Sequence, residues 1–128
     1  MITDPIADLL IRIKNGYLAR RESVVVPHSN VKESLLKVLQ KYGYVDNLVH
    51  EKEQRILKVT LIYKQGTPAL TEVKRLSKPG LRRYIRARDL GTLRQGLGYI
   101  ILSTPQGLKT HHEAKAAKIG GELLCAIW

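Results

Sequence analysis

Cysteine, phenylalanine and acidic side chains are all scarce in this chain. The single cysteine, Cys125, excludes an intrachain disulfide. Phenylalanine is absent, so six Tyr and one Trp must supply the aromatic packing. No apolar run approaches the roughly 18 residues of a membrane span. Acids at Asp4 and Asp8 argue against a secretory or transit peptide. Neither a basic amphipathic helix nor a lipidation motif is present. The expectation is a soluble, cytoplasmic protein with no membrane partner.

Catalytic signatures are missing too. There is no Gly-Lys-Ser/Thr phosphate loop. Gly96-Leu97-Gly98 starts like a dinucleotide fingerprint, but it lacks the third glycine and leads into a strand, whereas that motif opens a helix. His111 and His112 are adjacent, so on a helix they point about 100° apart. Adding Cys125 gives no zinc-ligand spacing. The apolar neighbours of Cys125 (Leu124, Ala126, Ile127) indicate a buried strand and not a nucleophile. The remaining carboxylates are scattered. The sequence therefore predicts no enzyme, no cofactor and no metal; a small nuclease or RNA-modifying enzyme would need a constellation that these residues do not offer.

What the chain does have is positive charge. Lys and Arg total 22 against 11 Asp and Glu, a formal net charge of +11 over 128 residues. Residues 1–65 carry 11 basic and 7 acidic side chains; residues 66–128 carry 11 and 4. Such a field draws polyanions, and each neutralised phosphate releases counterions, so nucleic acid is the default partner.

Periodicity predicts an α+β chain in two halves, 1–65 and 66–128, at a length that suits one ordinary domain or two small ones. Units of about 60 residues bury only roughly 60% of their unfolded surface and are marginal alone, so the halves should pack closely. In the first, Thr3 caps a helix with Pro5 in its first turn. Ile6, Leu9, Leu10, Ile13 and Tyr17 form its buried face, and Asn15-Gly16 weakens or ends it. A strand over Ser23–Val26 stops at Pro27. A second helix follows, with Asn30 and Glu33 as capping-box pair and Gly43 ending it. A hairpin pairs Tyr44–Val49 with Leu57–Tyr63, giving α-β-α-β-β. Lys64–Pro68 is the expected linker.

The second half reads as strand-rich, with one short helix. Strands are expected at Val73–Leu76, Arg82–Arg86, Tyr99–Leu102 and Glu122–Trp128. Pro79-Gly80 signals a type II turn, and Ser103–Gly107 a tight loop. Thr110 and Glu113 form a capping box for a helix to about Lys118, ended by Gly120-Gly121.

The densest basic tract holds Lys74, Arg75, Lys78, Arg82, Arg83, Arg86, Arg88 and Arg94 against one acid, Asp89. On a strand, Arg82, Tyr84 and Arg86 share one face while Arg83 and Ile85 share the other. Cations around one flat aromatic suit phosphates and a ribose or an unstacked base. In the Ser103-Thr104-Pro105-Gln106-Gly107 loop, two adjacent hydroxyls can donate and accept, and Gly107 permits close backbone approach. By itself that composition is also an ordinary polar turn.

A wider pattern gives the loop more weight. Gly96-Leu97-Gly98, Ser103-Thr104, Gly107, Thr110, Glu113-Ala114 and Gly120-Gly121-Glu122 stand in a distinctive order and spacing. So do Thr3-Asp4-Pro5-Ile6-Ala7-Asp8, Arg12-Ile13-Lys14-Asn15, Lys78-Pro79-Gly80 and the terminal Trp128. Over nearly its whole length the chain thereby resembles the bacterial small-subunit ribosomal protein eight family. Departures are local. Pro105 and Gln106 stand where the family has a third hydroxyl and then Lys, and His111-His112 where it has an acid followed by Arg.

The resemblance implies two packed α+β domains and a structural role in the small ribosomal subunit. It also implies direct binding to the central domain of small-subunit (16S-type) rRNA during assembly, as a monomer beside other ribosomal proteins. It makes Ser103, Thr104, Gly107 and Glu122 RNA-contact or loop-bracing positions. Lys78, Arg82, Arg83, Tyr84 and Arg86 would supply further contacts, and Thr3, Arg12, Lys14 and Asn15 secondary ones. Bacterial versus organellar ribosome stays open at this point. So does a free-standing RNA- or DNA-binding regulator of the same fold.

Overall fold

The structure is a computed structural model, and it describes residues 4–93, 96 and 98–128. Thr3, Arg94 and Leu97 lie outside the described residues. The fold is α+β and divides into two compact units: Pro5–Thr71, and Glu72–Trp128 together with Asp4.

The first unit begins with α1 (Pro5–Leu18), whose Ile6, Leu9, Leu10, Ile13 and Tyr17 are buried as the spacing predicts. The helix runs through Asn15-Gly16 without ending there. Gly16 is buried because a Cβ would stand 2.5 Å from Val24 Cγ1; it is a contact point for β1 (Ser23–Pro27) and not a breaker. α2 (Asn30–Lys41) is capped one residue earlier than expected. Ser29, in extended backbone, accepts from the Lys32 N–H at 3.2 Å, which makes Asn30 the first helical residue.

β2 (Leu48–Glu51) and β3 (Ile56–Thr60) form a hairpin where one is expected, but its strands lie closer to the turn: residues 44–47 and 61–62 are outside them. The sheet order is β1-β3-β2, all antiparallel. Pro27 is tolerated because β1 is an edge strand. Leu35, Leu36, Leu39, Leu57, Val59 and Val26 fill the core of this unit. The expected linker is itself structured: β4 (Tyr63–Lys64) and β5 (Thr67–Pro68) make a small hairpin around Gln65-Gly66, both at positive φ.

Tyr17 is more than an apolar filler. Its buried hydroxyl donates to the Tyr44 carbonyl at 2.6 Å and accepts from the Ile62 N–H at 3.0 Å. Burial raises its pKa, opposed by the Ile62 contact. Tyr17→Phe strands a donor and an acceptor together, so denaturant unfolding should show a loss of about 1–3 kcal/mol. An unchanged midpoint would mean that water reaches both groups.

In the second unit a sheet runs β6-β10-β8-β9, and β7 also pairs with β10. The strands are β6 (Val73–Arg75), β7 (Tyr84–Ile85), β8 (Tyr99–Thr104), β9 (Gly107–Thr110) and β10 (Gly121–Ile127). The strand expected over Arg82–Arg86 shrinks to two residues, and a 3-10 helix over Ala87–Thr92 follows it. β9 went unforeseen, because Gly107-Leu-Lys-Thr is short and barely alternates.

α3 (His111–Ala117) opens with the predicted Thr110/Glu113 capping box. Lys118, in left-handed backbone (φ 56°), ends it, not Gly120-Gly121. Those glycines serve strand approach: a Cβ on Gly120 would meet the Ile85 carbonyl oxygen at 2.4 Å, and one on Gly121 the Ser103 carbonyl oxygen at 2.2 Å. Leu90, Ile100, Leu102, Ala114 and Ala126 form the core cluster, with Leu76, Ile85, Leu93, Leu123 and Trp128 packed against it. No described helix is long and apolar enough to cross a membrane.

Candidate nucleic-acid interface

The site grows from the way β10 changes partners. At its start Gly121 and Glu122 pair with Ile85 and Tyr84; at its end Cys125, Ala126 and Ile127 pair with Arg75, Lys74 and Val73. A register shift between Leu123 and Cys125 marks the changeover. There the Leu124 carbonyl accepts from the Leu76 N–H at 2.9 Å and from Arg75 Nη1 at 2.5 Å. On its other edge β10 pairs Glu122 with Ser103 and Leu123 with Leu102.

Cross-strand partners point to the same face. Ile85, Leu102 and Leu123 lie against the core cluster, so Tyr84, Glu122 and Ser103 form a row on the opposite face. Tyr84 is 71% exposed. The Ser103 hydroxyl has no protein partner among the described residues.

Glu122 is held rigidly. Its side chain is only 14% exposed, and Oε2 accepts from the Ser77 hydroxyl at 2.6 Å and from Arg82 Nη1 at 3.1 Å. Burial pushes its pKa up, but the hydrogen bonds from Ser77 and Arg82 and the charges of Arg82 and Arg75 outweigh that and hold it below the usual carboxylate range. Glu122 is therefore ionised at neutral pH, and Oε1 remains as an acceptor. Sequence reasoning missed Ser77, which is fully buried. Its Oγ also accepts from the Arg83 N–H at 2.9 Å, so one hydroxyl ties β7, β10 and the turn together. A lone serine beside Lys78-Pro79-Gly80 gave no signal of that.

That turn is closed by reciprocal Lys78–Leu81 backbone bonds of 2.9 Å. Gly80 does not take the positive φ that type II requires, so the type II expectation is corrected. Lys78, Arg82, Arg83 and Arg86 are all exposed, and Arg82 reaches the row through Glu122. Arg83 lies across from Leu123, whose N–H its carbonyl accepts, and so does not share the row's face. Arg75 drops out of the phosphate tract: its Nε lies 3.0 Å from Asp4 Oδ2, and its side chain is 11% exposed.

The expected loop is in fact a hairpin turn, since Ser103 and Thr104 still belong to β8 and Thr104 pairs with Gly107. Pro105 suits the first central position because its fixed φ matches, and Gly107 takes φ 103°. Thr104 is buried; its hydroxyl donates to the Gly107 carbonyl at 2.7 Å and accepts from the Gln106 N–H at 3.1 Å. Thr104 and Gly107 thus brace the turn, and Ser103 is left facing outward.

The α1 residues belong to the other unit. Arg12 pairs with Asp8 at 3.1 Å and, with Asn15 and Arg21, lines an open surface depression. Lys14 lies elsewhere, beside Tyr17 and Leu18, so the helix does not bring all three together.

Cys125 and His111 are both buried in the second unit. Burial pushes the Cys125 thiol up to about 12, Arg75 opposing and Asp4 adding to the shift. His111 Nδ1 accepts from the Ile100 N–H at 3.0 Å, and burial, followed by His112, lowers the pKa of the His111 ring.

Comparison with known proteins gives a consistent answer. The Ribosomal protein S8 family profile matches residues 4–128. "Small ribosomal subunit protein uS8" of Persephonella marina is 43% identical, covering 100% of each chain. The protein of that name from Nitratidesulfovibrio vulgaris (strain Miyazaki F) is 44% identical, again over 100% of each, and that of Dictyoglomus thermophilum is 43% identical over 99% of this chain and 98% of its own. With the profile and the relatives both spanning essentially all of it, the chain belongs to the Ribosomal protein S8 family, whose members are structural proteins and not enzymes.

Proposed function

We propose that this protein is a structural constituent of the small ribosomal subunit that binds the central domain of 16S-type rRNA directly and organises it during assembly. One observation carries the reading: an ionised carboxylate, held by Ser77 and Arg82, stands between an exposed tyrosine ring and an outward hydroxyl on the more basic half of the chain. A carboxylate repels phosphate, so there it serves as an acceptor for a base amino group or a ribose 2′-OH. Tyr84 offers a face for an unstacked base. Lys78, Arg82, Arg83 and Arg86 neutralise the backbone. The names of the relatives support the ribosomal setting.

In this reading the domain spanning 66–128 carries recognition. The domain spanning 1–65 adds secondary contacts through Arg12 and Asn15, with Lys14 on another part of that surface and Thr3 at its start. The protein acts as one copy per particle in the cytoplasm, beside neighbouring ribosomal proteins.

Two substitutions separate recognition from attraction. Ser103→Ala should lower affinity for the specific rRNA site by about tenfold and leave non-specific RNA binding unchanged. Arg83→Ala should weaken both and reduce the salt slope by about one unit. Equal losses on both RNAs with Ser103→Ala, read by titration at several salt concentrations, would contradict the assignment.

A further inference from the structure

The first unit brings together three side chains that the RNA-binding reading does not use. His28 lies between β1 and α2, Glu33 in the first turn of α2, and His50 in β2. Each is placed by backbone bonds: the His28 N–H donates to the Arg55 carbonyl at 2.9 Å, the Glu33 N–H to the Ser29 carbonyl at 3.0 Å, and His50 pairs with Leu57 in the sheet. Their side chains are half-buried, at 22%, 26% and 29% exposure. Among the described residues they are the one group of three or more His, Cys, Asp or Glu side chains whose ligand atoms all lie within 4.8 Å of one another.

We propose that His28, Glu33 and His50 form a binding site for a divalent transition-metal ion of the zinc type. Glu33 Oε1 stands 3.5 Å from His28 Nε2 and 3.3 Å from His50 Nδ1. Ligands about 2.0–2.1 Å from a tetrahedral ion are about 3.3–3.4 Å apart, so both carboxylate–imidazole edges already have the right length. The other Glu33 oxygen, Oε2, faces Lys37 Nζ at 3.5 Å, which leaves Oε1 for the ion.

The two rings are stacked, with centroids 3.9 Å apart and planes 5° from parallel. Stacked rings point their lone pairs side by side, so binding turns them until the lone pairs converge. Two imidazoles and one carboxylate suit zinc, cobalt or nickel and not magnesium. Three protein ligands leave a fourth position for water. The site ties β1, α2 and β2 to one point, so the ion stabilises this unit.

The test uses the full chain after chelator treatment, with Zn²⁺ as probe and Mg²⁺ as control. One equivalent of Zn²⁺ should bind, and the thermal midpoint should rise with Zn²⁺ but not with Mg²⁺. In wild-type protein the imidazole NMR signals of His28 and His50 should move while those of His111 and His112 stay. Glu33→Gln should weaken Zn²⁺ binding by at least about tenfold, with an unchanged circular dichroism spectrum in the absence of metal. Absence of binding, ring shifts confined to His111 and His112, or affinity unaffected in a folded Glu33→Gln protein would each overturn the proposal. The ring signals decide the matter even if a variant fails to fold.

Discussion

Gly121→Ala should cost about 3 kcal/mol or more of stability, and in the protein that still folds, specific RNA binding should be lost. A Cβ at this position would lie 2.2 Å from the Ser103 carbonyl oxygen, 3.0 Å from the Ser103 carbonyl carbon and 3.2 Å from Thr104 Cγ2. Two of those atoms are backbone, so no rotamer change relieves the clash. β8 and β10 must move apart where Glu122 pairs with Ser103. Stability and recognition therefore fail through the same displacement. Gly80→Ala is the control: its Cβ would meet nothing within 4 Å, and its φ is not positive, so stability should change by less than about 0.5 kcal/mol. Similar denaturant midpoints for the two variants would show that the sheet absorbs the extra methyl group.

Glu122→Gln should move specific and non-specific binding in opposite directions. The amide keeps the shape and an acceptor oxygen for Ser77, but loses the charge that holds Arg82 and the acceptor strength at the free oxygen. Affinity for the specific rRNA site should fall about tenfold to a hundredfold, within the range of one good base contact. Affinity for an unrelated duplex should rise slightly, because a negative charge has left a cationic surface. If both affinities rise, Glu122 only dampens the field and recognises nothing. If neither changes, it only holds Ser77 and Arg82 in place.

Long-period features of this fold are legible in the residues. The α1 face from Ile6 to Tyr17, the hairpin of β2 and β3, and the Thr110–Glu113 capping box all arise from local rules of spacing and hydrogen bonding. Misreadings come where tertiary contacts override a local signal. Gly16 and Gly120-Gly121 read as helix breakers, yet each serves close packing against another element. Asn30 and Ser29 are both good caps, and only the extended backbone at Ser29 decides between them.

The candidate site was legible as a set of residues but not as an arrangement. Ser103, Tyr84 and Glu122 are far apart in the chain, and it is pairing on both edges of β10 that aligns them. Ser77 and the His28–Glu33–His50 group carry no local signature, because their chemistry depends on partners from other elements. Thr104 looked equivalent to Ser103 in the sequence. Strand alternation puts it on the other face, where its hydroxyl closes the turn.

The most direct test of the central claim is a salt titration of binding to a short stem-loop from the central domain of small-subunit rRNA, beside a scrambled duplex of equal length. A surface that reads RNA through Tyr84, Glu122 and Ser103 should prefer the stem-loop by at least about a thousandfold at physiological salt. Equal binding to both RNAs, falling steeply with salt, would reduce the protein to a generic polycation and contradict the account.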